Sequence, residues 1–255
     1  MKITFLGTGT SHGVPVIGCA CATCRSKNKK NKRNRASVYI FTEGRGILID
    51  MTAEFRLRSL EYGIEKIDAV LFTHAHADHT AGVDDIRRYN ELQGKPIPFY
   101  GTKDTLAELK KRFGYIFSKT QEGGGKPKIK LNRVIPEKPF VAAGLKIIPI
   151  PVLHGTLPIL GYRIKNFAYI TDVSAIPKKT FEVLRKLEVL VIDALRHNPH
   201  PTHFSLTEAL AAAKKIGAKK TYFTHISHAF EHTSINETLD HNVKLAFDGQ
   251  VIKIK

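Results

Sequence analysis

The sequence predicts an α/β fold in which β-sheets are sandwiched between helices, and three observations carry that expectation. Short apolar runs of strand character alternate with helix-periodic segments along all 255 residues. No linker-like stretch divides them, so one domain spanning residues 1–255 is expected. An apolar content of 42% is enough to fill a core on that scale.

Taken in order, "KITFL" (2–6), "SVYIF" (37–41), "GILID" (46–50) and "DAVLFT" (68–73) have the length and β-branched or aromatic content of strands. In the second half "LKIIPIPVL" (145–153), "ILGYRI" (159–164), "FAYITD" (167–172), "VLVID" (189–193), "KTYFT" (220–224) and "VIKIK" (251–255) read the same way. Helical periodicity fits "AEFRLRSLEYG" (53–63), "TKDTLAELKKRF" (102–113), "PKKTFEVLRKL" (177–187) and "SLTEALAAAKKIG" (205–217). The last is bounded by Ser205 and Gly217, residue types that start and stop helices. "QEGGGKPK", Gln121–Lys128, reads as a flexible loop or lid. No repeat period is visible.

No apolar run is long enough to span a membrane, and "MKITFLGTGTS" reads as a first strand and turn rather than a signal peptide. All three cysteines, Cys19, Cys21 and Cys24, fall within "GCACATC". Clustering of this kind favours metal binding in a reducing compartment over a disulfide framework, so a cytoplasmic location is expected. Three soft ligands are one short of a tetrahedral zinc set.

The net charge of +17 favours an anionic partner. The densest run, Arg25–Arg35, holds seven basic residues and no aromatic, the composition of a mobile, solvated loop rather than a single-strand binder.

The chemistry centres on "THAHADH", Thr73–His79. Residues two apart on an extended chain point the same way, so His74 and His76 can share a metal. Asp78 and His79 follow as the chain turns into a helix and can face a second one. Further ligand types close strands: His154 after "IIPIPVL", Asp172 in "AYITD" and His225 after "TYFT". Strand carboxyl ends are where open α/β sheets place their sites. His74, His76 and His154 can serve one divalent ion and Asp78, His79 and His225 the other, with Asp172 between them. Mn²⁺ and Zn²⁺ both accept such ligands.

This H-x-H-x-D-H run with its later His, Asp and His resembles the metallo-β-lactamase superfamily. The resemblance implies an αββα sandwich, two mixed sheets flanked by helices, around a two-metal site. "FLGTGTSHGVPVIGCACATC", "THAHADHTAGVDDIRRYN", "HPTHFSLTEAL" and "FTHISHAFEH" resemble, almost end to end, the PhnP-like cyclic phosphodiesterase branch. In that branch three cysteines and a histidine hold a structural zinc, and the matching position is His228; His12, seven residues before Cys19, is the rival fourth ligand. The zinc would join 19–24 to the 225–228 loop. The resemblance also gives His203 as a histidine that enters the site, contacts substrate and leaves the metals alone. Asp78 and His203 are the expected catalytic residues. Asp50 matches an aspartate that steadies the metal loop, and Asp193 is positioned to act likewise. His197, His200 and His232 receive no role.

The implied reaction is hydrolysis of a small, cyclic phosphodiester by a hydroxide held between the two metals. The alternatives are an endoribonuclease of the tRNA 3′-processing kind and a non-enzymatic nucleic-acid-binding protein with structural metals. Charge favours RNA; the cysteine cluster and the modest spare length of Phe113–Phe140 do not. The basic loop departs from the branch, which mixes acidic and basic residues there, and this bears on substrate size. A homodimer stays open.

Overall fold

A computed structural model describes residues 1–119 and 125–254, so Gln121–Lys128 lies partly outside the described residues. β1 (Lys2–Gly7), β2 (Ser37–Thr42), β3 (Arg45–Ile49), β4 (Ala69–Leu71), β5 (Ile97–Gly101) and β6 (Ile129–Arg133) lie side by side in one sheet. β7 (Phe140–Ala142), β8 (Leu145–His154), β9 (Leu157–Ile164), β10 (Phe167–Ile170), β11 (Val189–Asp193), β12 (Lys220–Thr224) and β13 (Val243–Leu245) make the other. The chain then returns as β14 (Val251–Lys253), antiparallel to β1, so each sheet has seven strands. Both sheets are antiparallel in their first half and parallel in their second, from β3 to β6 and from β10 to β13.

Three apolar layers hold four structural layers together. Between the sheets, Phe5, Ile40, Ile47 and Leu71 meet Ile147, Tyr162, Phe167 and Val191. Outside the first sheet, Leu48, Val70 and Phe72 pack with Phe55, Leu106 and Leu109 from helices Phe55–Glu61 and Lys103–Arg112. Outside the second, Ile170, Leu190, Ile192 and Phe223 pack with Ala209, Ala212, Ala213 and Ile216 of helix Leu206–Ile216. Central strands therefore bury both faces, which is why they read as continuous apolar runs rather than alternating ones. Helix 206–216 is limited as its sequence predicts: Ser205 and Glu208 form a reciprocal capping box, and Gly217 ends it at φ 68°.

Two expectations need correction. "PKKTFEVLRKL" forms only the short helix Thr180–Val183, because the chain turns at Leu184–Lys186, with Lys186 at φ 59°, to enter β11. The Arg25–Arg35 run is ordered rather than a mobile loop. Arg33 and Asn31 are buried, and Arg33 donates to the Ala246 carbonyl at 2.6 Å and the Thr8 hydroxyl at 3.0 Å. Arg35 pairs with Glu54. Gly7 is required here, since a Cβ there would lie 2.0 Å from the Arg35 carbonyl oxygen. Within Phe113–Phe140, Ile129–Arg133 forms β6 of the first sheet. Among the described residues no helix is long and apolar enough to cross a membrane.

Candidate active site

The site lies where strand carboxyl ends of the two sheets converge. Asp50 directly follows β3 and His225 directly follows β12; Asp172 sits two residues past β10. All three take left-handed backbone angles, φ 61°, 56° and 60°. Outside glycine such angles are uncommon and cost on the order of 1 kcal/mol or more each, so the surrounding structure must impose them. Past each reversal the side chain reaches the other candidate site residues: Asp50 meets Thr73 and His79, and Asp172 meets His79 and His225.

Ligand atoms of His74, His76 and His154 lie within 4.8 Å of one another, and so do those of Asp78, His79, Asp172 and His225. Asp172 connects the sets: its Oδ1 is 3.3 Å from His79 Nε2 and 3.1 Å from His225 Nδ1, and its Oδ2 is 4.0 Å from His74 Nε2. His76 is exposed and Asp78 half-buried; the other five are buried.

Outer contacts fix the rings. Asp50 accepts from the Thr73 N–H (2.8 Å) and hydroxyl (2.8 Å), and lies 2.7 Å from His79 Nδ1. His154 Nδ1 donates to the Thr202 carbonyl at 2.8 Å, which leaves its Nε2 as the free lone pair. His203 Nδ1 is 2.9 Å from Asp193 Oδ2, and a ligand atom of His203 lies within 4.8 Å of those of His154 and Asp172. Arg112 reaches across from helix 103–112 to the Ala75 carbonyl at 2.8 Å and the Thr80 hydroxyl at 2.5 Å, bracing the loop between the two ligand pairs.

Electrostatics show what the donor set is suited to hold. Burial alone would raise Asp172, but His225, His79 and His74 hold it well below the carboxylate range. Burial would likewise raise Asp78, which His79 holds low. Burial pushes His225 down to about 4 and, with His79 beside it, pushes His74 well below its ordinary value. Burial would lower His203, yet its bond to Asp193 raises it. Among the described residues, Asp50, Asp78, Asp172 and Asp193 pair only with histidines. His74 Nε2, His79 Nε2 and His225 Nδ1 are buried without a hydrogen-bond partner. Buried carboxylates without a fixed cation, facing orphaned imidazole nitrogens, form a donor set that fits divalent metal ions.

A second cluster gathers Cys19, Cys21, Cys24 and His228, with His228 Nδ1 at 3.2, 3.5 and 3.6 Å from the three sulfurs. Zinc–sulfur and zinc–nitrogen bonds of ordinary length at a tetrahedral angle give a separation of about 3.6 Å, so this set could hold zinc. His12, the rival fourth ligand, is exposed and outside the cluster. The Cys24 N–H pulls the Cys21 thiol down to about 6, while burial pushes Cys24 up to about 11.

Sequence reasoning passed over several residues. Thr73 lay in plain view beside His74, but its bond to Asp50 spans 23 positions and leaves no local signal. Arg112 had no signal at all. His200, left without a role, has its ring 5.2 Å from that of His203 and accepts from the Thr202 N–H at 3.3 Å. His232 is buried against Arg33, its Nδ1 3.1 Å from the guanidinium, and His197 packs edge-on against Phe230 at 4.7 Å.

Comparison with known proteins agrees with this architecture. The family model described as "Beta-lactamase superfamily domain" matches residues 45–226. A crystal structure of a diphosphatase from the PhnP family is 43% identical, superposes with a TM-score of 0.92, and is matched over 98% of this chain and 96% of its own. An octanoyltransferase of Porphyromonas gingivalis is 38% identical over 252 residues, 98% of this chain but 51% of that protein. The chain thus spans about half the length of that curated relative, whose name belongs to the whole protein. A ribonuclease Z of Bacillus velezensis is 22% identical over 99% of this chain and 96% of its own. Matched in family model and in near full-length structure alike, the chain belongs to the β-lactamase superfamily and, within it, to the PhnP family.

Proposed function

We propose that the chain is a metal-dependent phosphodiesterase that hydrolyses small, cyclic phosphodiesters. The observation that carries this reading is the Asp172 carboxylate, within 3.3 Å of two buried imidazoles of one ligand set and 4.0 Å of a third from the other. His74, His76 and His154 would hold one divalent ion and Asp78, His79 and His225 the second, with Asp172 shared; Mn²⁺ and Zn²⁺ suit the donors. When bound, such a pair supplies Lewis acidity toward phosphoryl oxygens and lowers the pKa of water. Cys19, Cys21, Cys24 and His228 would hold a structural zinc that leaves no position for substrate.

The chain's own groups do the rest. Asp193 accepts from His203 Nδ1 and favours the protonated ring, whose Nε2–H can then donate to a phosphoryl oxygen or protonate the departing alkoxide. Asp78, with Asp172, keeps the site acidic enough to retain cations and orient water. The relatives named diphosphatase and ribonuclease Z support phosphorus–oxygen hydrolysis as the reaction class. Clustered rather than bridged cysteines support a cytoplasmic setting.

The ribonuclease reading draws on the charge of +17 and on the ribonuclease Z relative. Against it, Arg33 and Arg35 of the basic run are spent on internal contacts, and Ile129–Arg133 of the 113–140 stretch is built into the first sheet as β6. The test is a side-by-side assay of Mn²⁺-loaded protein on 2′,3′-cyclic AMP and on a tRNA precursor with a 3′ trailer. Cleavage of the cyclic nucleotide is expected. Trailer cleavage alone would overturn the proposal.

A further inference from the structure

A net charge of +17 is far more than a small substrate calls for, and the run Arg25–Arg35 spends part of its share on internal contacts. A second concentration of cations lies at the end of the second sheet that faces away from the candidate site. β10, β11 and β12 run parallel and deliver Asp172, Asp193 and His225 at or just past their carboxyl ends. The turns that enter the amino ends of β10 to β13 form a base, stitched edge to edge by the backbone. The Glu188 N–H donates to the Asn166 carbonyl at 2.8 Å, the Lys219 N–H to that of Leu187 at 3.2 Å, and the Thr221 N–H to that of Asn242 at 2.8 Å.

Neighbouring cations crowd this base in pairs: Arg185 with Lys186, Lys214 with Lys215, and Lys219 with Lys220, all exposed. Among the described residues none of them enters an ion pair. Glu182 and Glu188 flank the first pair, and Glu237 and Asp240 lie toward β13, so positive charge leads without being alone. Lys214 and Lys215 complement the dipole of helix 206–216, whose last turn they occupy. That reason does not extend to the other two pairs. Lys186 even takes φ 59°, where glycine or asparagine would cost less. Among the described residues no large apolar side chain is exposed between Pro158 and Gln250. A membrane surface would call for such groups to insert, and a single strand for aromatic rings on which to stack its bases. A duplex needs neither, because its bases are already stacked and it presents phosphates outward.

We propose that this base is a binding surface for the phosphate backbone of a double-stranded nucleic acid, which is held there without being cut. Lys220 opens β12 and His225 directly follows it, so about 17 Å of strand separates the base from the candidate metal ligands. Helix 206–216 spans the same depth, about 16 Å, from His203 at the site to Gly217 at the base. Contacts of this kind position the duplex and carry no sequence information.

The experiment follows the fluorescence anisotropy of a short labelled duplex, as RNA and as DNA, over a range of salt concentrations. It compares wild type with the triple variant Lys186→Glu, Lys219→Glu, Lys220→Glu. The control is Lys27→Glu, Lys29→Glu, Lys111→Glu, an equal change of charge on exposed lysines elsewhere. Circular dichroism matching wild type establishes that both variants are folded. Wild type should bind at least one duplex. The base variant should weaken that binding by about tenfold or more and flatten its log–log salt dependence by about 2–3, with the control much closer to wild type. Equal weakening in the two variants would reduce the effect to net charge and overturn the inference. So would failure of wild type to bind either duplex, cleavage of the bound duplex, or flotation with phosphatidylglycerol vesicles in place of duplex binding. None of these readouts uses hydrolysis of a cyclic nucleotide, so the inference and the phosphodiesterase reading stand or fall separately.

Discussion

Asp50 offers the sharpest test, because under the proposed function one side chain would serve both stability and metal binding, and two substitutions separate the roles. Its carboxylate is fully buried and takes the Thr73 N–H at 2.8 Å, the Thr73 hydroxyl at 2.8 Å and His79 Nδ1 at 2.7 Å. Asp50→Ala orphans up to three donors where water does not reach, at about 1–3 kcal/mol each. It also puts alanine at φ 61°, a further cost of about 1 kcal/mol. Relief of a desolvated carboxylate, which burial raises in pKa, offsets part of this. A net loss of about 3–6 kcal/mol is expected, a large fraction of a typical domain's stability. Asparagine tolerates the left-handed angle and keeps an oxygen for Thr73. Its amide nitrogen, however, would donate to His79 Nδ1 and drive the ring proton onto Nε2, where the ligand lone pair belongs. Asp50→Asn should therefore lower metal affinity by about 10–100-fold while costing the metal-free fold much less than alanine does. Urea unfolding of the metal-free proteins and calorimetric titration with Zn²⁺ measure the two effects. Wild-type metal affinity in the asparagine variant would refute the tautomer argument, and wild-type stability in the alanine variant would refute the hydrogen-bond arithmetic.

Other perturbations probe the remaining parts. His203→Ala should reduce turnover of 2′,3′-cyclic AMP by about 10²–10⁴-fold with active-site metal retained, read by kinetics and metal analysis; unchanged turnover would remove His203 from the chemistry. Cys19→Ser should lower bound zinc by about one equivalent per chain and weaken hydrogen-exchange protection around His225, three residues before His228; full zinc content would argue against the cluster as a zinc site. Burial and the neighbouring Arg33 depress His232 from 6.5 to about 4. Between those values the unfolded chain binds a proton that the folded chain refuses, so this contribution is present above about pH 6.5 and is lost as pH falls toward 4. Discounted for screening by the surrounding charges, the effect is about 1–2 kcal/mol. The difference between wild type and His232→Gln in urea unfolding from pH 7 to pH 4 should narrow toward acid, and a constant difference would refute it.

What could be read in advance divides along physical lines. Runs such as "VLVID" and "FAYITD" announce themselves because strands buried on both faces must be apolar throughout. β5 carries Pro98, and β7 and β13 are three residues long, too short for any period to register. The helix forecast over 177–187 failed because Leu184 and Leu187 are buried by their place under the second sheet rather than by helical spacing. At the site, candidate ligand types at strand ends were legible, since metal chemistry restricts them to few residues, and the fold brings those residues together. Their supports were not: a threonine, a carbonyl and an arginine are common everywhere, and only the fold brings Arg112 to Ala75, 37 residues away.

Misreading the basic run exposes the deeper dependence. Charge density made Arg25–Arg35 look solvated, yet Arg33 is buried beneath Thr8, Ala246 and His232, and Asn31 donates to Glu231 at 2.6 Å. Asn34 binds Asp248 through both its backbone and side-chain amides, and Thr8 binds that carboxylate as well. The same Thr8 accepts, through its carbonyl, from the Ile226 N–H at 2.9 Å, one residue past His225. The basic loop, the C-terminal turn and the His225–His228 segment thus share one buried polar network. A partly satisfied network of this kind is costly, so breaking it at Arg33 would be felt at His225 through Thr8. Arg33→Met, close in size but unable to donate, should therefore lower metal affinity at the active site along with stability, although Arg33 contacts none of the candidate ligands. A variant that lost stability in urea yet bound metal as wild type does would confine the network to folding alone.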